Sequence, residues 1–511
     1  MPWEYTDEIS WYRDPDISGA ALAGNCTHQV SIDGDTIVAA SCQAWIPAGP
    51  AQAGQVFVYR RTGLGAWAVE QELIPSTRET SARFGTWVKI IGDTIFVSAP
   101  WQDNGGTDRG SVYVFTRSGT TWTQSDEVVG VVDNWTLGRA MTADANRVVA
   151  MTHDPTGATA GDTHVYTYAA GVMTPEDSFA SATFGTTSIQ IGLAIDGDTI
   201  VTARQDAGAY VCSVFTRSGS TWTFQQELAG PGLFLGGIRN CGMEIAIRGD
   251  LMVTGRPYLL YNPGTALTFT RSGGTWTYQQ MILGSEVDRD NAYGEHVDIS
   301  ADGLTIYVTA PGLETGGRPH PGGDIYKWKW NGATWIETWS DGWCRDCYAL
   351  GITSAAGDTF GSAMEISDEG LLVVQGALIG SPGRTGYKVY VSITAEVSTK
   401  VSTEGGELVT LTVPLTAGSY LVYIDGESCY GGETGGGYQC VSDGATMDIV
   451  TPILSRAGEL VVAIHDTSDV LVAVGKILVV PRTQSDTLYH MRTRWPDWYQ
   501  VGARDISQET E

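Results

Sequence analysis

Apolar and polar residues alternate along most of the chain in short runs, and the runs return in a fixed order. One line opens with an apolar residue and Gly, then gives a strand, a tight Gly-Asp-type turn and a second strand. Its clearest copy runs from Phe84-Gly85 through Gly92-Asp93 to Val97. The turn recurs at Gly34-Asp35, Gly92-Asp93, Ala145-Asn146, Gly197-Asp198, Gly249-Asp250, Asp302-Gly303 and Glu369-Gly370, at intervals of 52 to 58 residues and a last one of 67. A second line is a strand with period-two alternation, the mark of a half-buried sheet position. It begins at Gln55, Ser111, Thr163, Tyr210, Ala266, Asp324 and Tyr387. The third is a strand that starts at Trp and ends in Glu plus an apolar residue, as in Trp67 to Leu73, Trp122 to Val128 and Trp222 to Leu228. Trp276 and Trp335 head looser copies, and Val172 begins a degraded one.

The third line occurs six times after the first repeat begins, one short of the other two. The missing copy stands at the N-terminus, where Trp3-Glu4-Tyr5-Thr6-Asp7-Glu8-Ile9 repeats the same spacing. Four strands per unit, with a first strand that completes the last unit, predict a ring rather than a solenoid, because a ring hides its terminal edges. The expected fold is all-β: a seven-bladed β-propeller closed by the N-terminal strand over residues 1–393. From residue 394 the period changes, and strands near Glu407–Val413, Ser419–Ile424, Glu459–Ile464 and Leu471–Val480 predict an Ig-like β-sandwich over 394–485. Residues 486–511 read as a C-terminal docking tail, with Arg492, Arg494, Trp495, Trp498 and Tyr499 as its contact residues.

Phe84-Gly85, Ser98-Ala99-Pro100 and Gly110-Ser111-Val112-Tyr113-Val114-Phe115 resemble the FG-GAP repeat of integrin α-subunit propellers and their bacterial relatives, with weaker copies at Phe360-Gly361, Tyr293-Gly294 and Cys241-Gly242. The resemblance covers roughly residues 19–393. Calcium-binding members of that family carry an acidic loop between the first two strands of a blade. Here that place holds minimal turns such as Asp33-Gly34-Asp35, which offer too few oxygens for a six- to eight-coordinate ion, so no metal or other cofactor is expected.

Gly is abundant at 64 residues, aromatics make up 10% and charged residues 17%, which agrees with an all-β chain. The net charge of −28 repels phosphate backbones and argues against nucleic-acid binding. No run of apolar residues is long enough to predict a membrane span. The first residues lack the basic and apolar regions of a secretory signal. Among the eight Cys, Cys26 and Cys42 flank a hairpin turn and Cys429 and Cys440 bracket a Gly-rich loop, so both pairs are disulfide candidates. Cys344 and Cys347 lack the second pair that a zinc site needs.

The turns on one face of such a disc are uniformly short, while the second-to-third loops and the interblade crossings on the other vary freely. Binding concentrates on variable loops over a rigid scaffold. The candidate ligand contacts are Trp101, Asp103, Asn104, Arg256, Tyr258, His320, Trp339 and Trp343. The seven His lack metal-like spacing, and His296, beside Glu295, reads as a packed core residue. No nucleophile elbow, phosphate loop or dinucleotide fingerprint occurs, and the starts of the inner strands are Gly and apolar residues, so an enzyme is not expected. The leading expectation is a non-enzymatic virion surface protein, a fibre, spike or decoration protein of a phage or virus, located on a virion surface or outside a cell. Its expected partners are other virion or surface proteins at the C-terminal part and a host glycan or receptor at the propeller, within a larger assembly. The alternatives are a bacterial or algal surface adhesin and a glycan-active propeller enzyme.

Overall fold

The computed structural model describes residues 4–10, 29–42, 50–63, 66–153, 161–180, 189–206, 209–228, 244–257, 264–284, 292–311, 323–342, 361, 363–368, 371–378 and 384–391, together with the strands between 396 and 480. Every described regular element is a β-strand. Two compact units emerge, one of Asp7–Arg61 with Trp67–Val389 and the other of Met1–Thr6, Thr62–Ala66 and Tyr390–Glu511.

Six blades are runs of four consecutive strands bonded in chain order, over residues 29–73, 88–129, 140–180, 189–227, 244–282 and 297–342. A further four-stranded sheet is composite. It takes Ala363–Ile366, Leu371–Leu378 and Arg384–Val391 from the last repeat and sets Glu4–Ser10 beside the last of them. The sequence predicts seven blades, the last closed by the N-terminal strand; six blades of four consecutive strands are found, together with this composite sheet. The innermost strands follow one another around a ring: Gln29–Asp33, Val88–Ile91, Ala140–Ala143, Ile189–Asp196, Glu244–Arg248, Val297–Ile299 and Ala363–Ile366, which neighbours Gln29–Asp33 again.

The core lies between blades. Val38, Val56 and Val58 of the first blade pack with Phe84, Ile95, Tyr113, Phe115 and Trp122 on the second. Phe84 meets Tyr113 and Phe115 edge-on, at 5.5 and 6.1 Å between ring centres. Each such ring removed from water contributes about 2–3 kcal/mol, so the joints between blades carry much of the stability.

The repeated glycines are explained at the same joints. A Cβ on Gly110 would fall 2.3 Å from the Leu137 carbonyl oxygen of the next blade, and its φ is +78°. A Cβ on Gly85 would fall 2.8 Å from Val56 Cγ2. Backbone at Gly110 and packed side chains at Gly85 come too close there for a Cβ to fit.

The Trp repeat has a partner the sequence reading did not isolate. Four residues after each Trp, or its substitute, stands a residue that holds the equivalent main chain in the following blade. Gln71 grips Trp122, Asp126 holds Met173, Asp177 holds Trp222, Gln226 grips Trp276 and Gln280 grips Trp335. A Gln does this twice, since its oxygen accepts from the Trp amide and its nitrogen donates to the Trp carbonyl.

The strands of the C-terminal part are joined by hydrogen bonds into one nine-stranded sheet, with one strand linking its two halves. The link is Gly418–Ile424, which bonds Tyr438–Ser442 on one side and Gly458–His465 on the other. The proposed tail, 486–511 with Arg492, Arg494, Trp495, Trp498 and Tyr499, lies outside the described residues. Cys42 and Cys212 are each disulfide-bonded. No helix is long and apolar enough to cross a membrane among the described residues.

Candidate recognition face

The short-turn face is occupied by its own chemistry. Arg61, Arg117, Arg217 and Arg271, each on the third strand of a blade, form ion pairs with Asp35, Asp93, Asp198 and Asp250 of the tight turn in that blade, at 3.7, 3.5, 2.6 and 2.7 Å. The backbone of the same pairs is joined as well, Arg N–H to Asp carbonyl. Arg117 and Arg271 also lie over the Trp122 and Trp276 rings. The recurrence of Arg at one repeat position therefore locks a turn.

On the opposite face, around the second blade, three segments run side by side. They are the crossing from the first blade (74–87), the second-to-third loop (100–110) and the crossing to the third blade (130–139). Backbone bonds tie them together: Trp101 N–H to Ala82 O, Asn134 N–H to Thr107 O, Thr136 N–H to Asp108 O and Leu137 N–H to Arg109 O. The loop can turn back on itself because Asn104, Gly105 and Asp108 take positive φ values of 48, 76 and 46°, which Gly and short polar residues tolerate. Asp103 braces it by accepting the Asp108 amide, while its own amide donates to Glu79 Oε2 at 2.6 Å. Asn104 Nδ2 donates to Ser111 Oγ.

Trp101 is the centre of this region. The Arg83 guanidinium lies 4.1 Å from its ring centre and that of Arg139 4.8 Å. Burial, and then the neighbouring Asp103, raise the pKa of Asp108, while the charge of Arg83 draws it back down. Beyond them the crossing displays Val131, 86% exposed, and Val132, with Asp133 paired to Arg109 at 2.6 Å.

Of the expected ligand contacts, Trp101, Asp103 and Asn104 are thus brought together. Arg256 is not on this surface: it ends the strand Leu251–Arg256 opposite Thr265 and is 4% exposed. Trp339 sits within the strand Trp335–Gly342, opposite Lys327, and not in a loop. Tyr258, His320 and Trp343 lie outside the described residues. Arg83 and Arg139, which complete the Trp101 group, escaped the sequence reading because they belong to crossings, remote in sequence from the loop they join. Their signal was positional: Arg83 directly precedes Phe84-Gly85 and Arg139 directly follows Leu137-Gly138.

A second charged group was also missed. Lys89, Asp298 and Glu365 occupy the innermost strands, each five residues after an aromatic–Gly start at Phe84, Tyr293 and Phe360. Lys89 pairs with Glu365, whose other oxygen accepts the Ile32 amide. Asp298 accepts the amides of Ile366 and Ile299. Burial, followed by the Glu365 charge, pushes the Asp298 pKa up to about 6. These carboxylates are spent on main-chain groups of neighbouring blades, so the cluster joins the ring where first and last repeats meet. His296 is packed as expected, 7% exposed, with Nδ1 3.8 Å from Glu244 Oε1. Among the described residues no three His, Cys, Asp or Glu side chains stand together as a metal site.

The FG-GAP repeat family matches residues 67–115, from the last strand of the first blade to the third strand of the second. No curated protein sequence matches the chain. Among solved structures, a candidate 6-phosphogluconolactonase from Bacteroides uniformis ATCC 8492 is 11% identical with a TM-score of 0.44, over 87% of this chain and 100% of that one. A hypothetical selenium-binding protein from Sulfolobus tokodaii is 9% identical with a TM-score of 0.46, over 68% and 83%. At such identities and scores no activity transfers. The family match falls on the joint whose glycines, aromatic core and Trp grip have just been described, so the chain is a β-propeller that carries a match to the FG-GAP repeat at residues 67–115.

Proposed function

We propose that this is a non-enzymatic recognition protein of an exposed surface, a fibre, spike or decoration protein of a virion, whose loop face meets a receptor and whose C-terminal part attaches it. The contrast between the two faces carries this reading. Arginines of the short-turn face are consumed by their own turns. Arg83 and Arg139, by contrast, gather on Trp101 without forming an ion pair among the described residues. Such a presentation of Arg and Trp on adjoining loops is the composition of an interface anchor. Two disulfide-bonded cysteines suit an oxidising exterior, and the charge of −28 suits a protein that must stay dispersed there. Immunogold labelling of released particles with an antibody to the full chain tests the setting. Gold on the outside of particles is expected; gold confined to cell envelopes would replace the virion with the adhesin reading.

A further inference from the structure

The Trp101 group also specifies a ligand chemistry, an inference that rests on the loop face being the recognition surface. We propose that Arg83 and Arg139 receive the carboxylate of an acidic saccharide, with Asp103 and Asp108 accepting its hydroxyl groups.

Both guanidiniums lie near one indole ring, their Cζ atoms 4.1 and 4.8 Å from its centre, and a guanidinium stacked on a ring keeps N–H donors that an oxyanion can use. Arg139 is exposed and Arg83 is half-buried. Two like charges on one ring repel, and a bound carboxylate relieves that repulsion. The acidic fringe selects among anions. Asp103 and Asp108 stand in the adjoining loop, with Glu79 beneath them bonded to the Asp103 amide. A polyphosphate or a poly-acidic peptide brings many charges against those carboxylates and against a chain of net charge −28. A sugar with a single carboxylate brings one charge and several O–H donors, which carboxylates accept well.

Saturation-transfer NMR titration of the full chain at pH 7 tests this with D-glucuronate and N-acetylneuraminate against their methyl esters, D-glucose and a hexa-aspartate peptide. At least one acid should bind tenfold or more tighter than its ester, with no comparable binding of glucose or peptide. Arg139→Gln, at an exposed position, should remove at least tenfold of that affinity, and Arg83→Gln should do the same if it folds. Equal binding of acid and ester overturns the carboxylate assignment, and equal binding of the peptide overturns the saccharide. If neither acid binds while the unmodified chain still attaches to host cells through loop-face residues, the ligand class is wrong and the recognition reading survives. If loop-face substitutions leave that attachment intact, both fail.

Discussion

The side chain of Gln226 closes on both main-chain groups of Trp276 in the next blade, accepting from its amide at 3.0 Å and donating to its carbonyl at 2.7 Å. Gln280 treats Trp335 in the same way, at 2.8 and 2.9 Å. The joint between blades is therefore specific as well as apolar. Trp packing supplies the burial, and the amide four residues later sets the register of the following blade.

Removing the grip leaves a half-buried amide and carbonyl without their partner. Gln226→Ala should lower stability by about 1–3 kcal/mol. Gln226→Glu keeps the acceptor but sets a carboxylate against the Trp276 carbonyl, so it should not restore the loss at pH 7. Urea denaturation of the two variants checks this; a glutamate variant as stable as the parent chain would show that the donor half contributes nothing.

The glycines separate into two classes by what surrounds them. A Cβ at Gly110 meets backbone at 2.3 Å, whereas one at Gly119, φ +64°, meets nothing within 4 Å. Gly110→Ala must push two blades apart and should cost several kcal/mol. Gly119→Ala bears only left-handed backbone strain of about 1–2 kcal/mol. Comparable melting temperatures for the two variants would contradict the close-approach explanation of the repeated Gly.

Much of this was legible before any coordinates. The strands, the turns and the N-terminal completion of the last sheet follow from repeats whose order survives because each blade packs against its neighbours in the same way. The charged group on the innermost strands was not, because Lys89, Asp298 and Glu365 differ in type and meet only when the ring closes. For the same reason Trp101 could be singled out as breaking the repeat, while Arg83 and Arg139, lying 18 and 38 residues from it along the chain, could not. Arg256, read as the start of a loop, is the last residue of the strand Leu251–Arg256.

Asp298 gives the ring a measurable pH dependence. Its pKa is pushed up to about 6, above the unfolded value of about 3.9, so the folded chain holds that proton more tightly. The contribution is complete below about pH 4 and is lost as the pH rises through about 6, amounting to at most about 3 kcal/mol. The parent chain should therefore lose stability relative to Asp298→Asn across that window, with the difference constant above pH 7. Denaturation of both proteins at pH 4, 5, 6 and 7 supplies the comparison; a difference that does not change with pH would remove the assignment.

The central claim is that recognition belongs to the loop face. The most direct measurement is attachment of labelled full-length protein to host cells, followed by flow cytometry, for the parent chain and two variants of preserved melting temperature. Trp101→Ala combined with Arg139→Ala alters the loop face, and Arg271→Ala alters the short-turn face. The account predicts at least a tenfold weaker attachment for the first and parent-like attachment for the second. Undiminished attachment of the loop-face variant, or selective loss in Arg271→Ala, would contradict it.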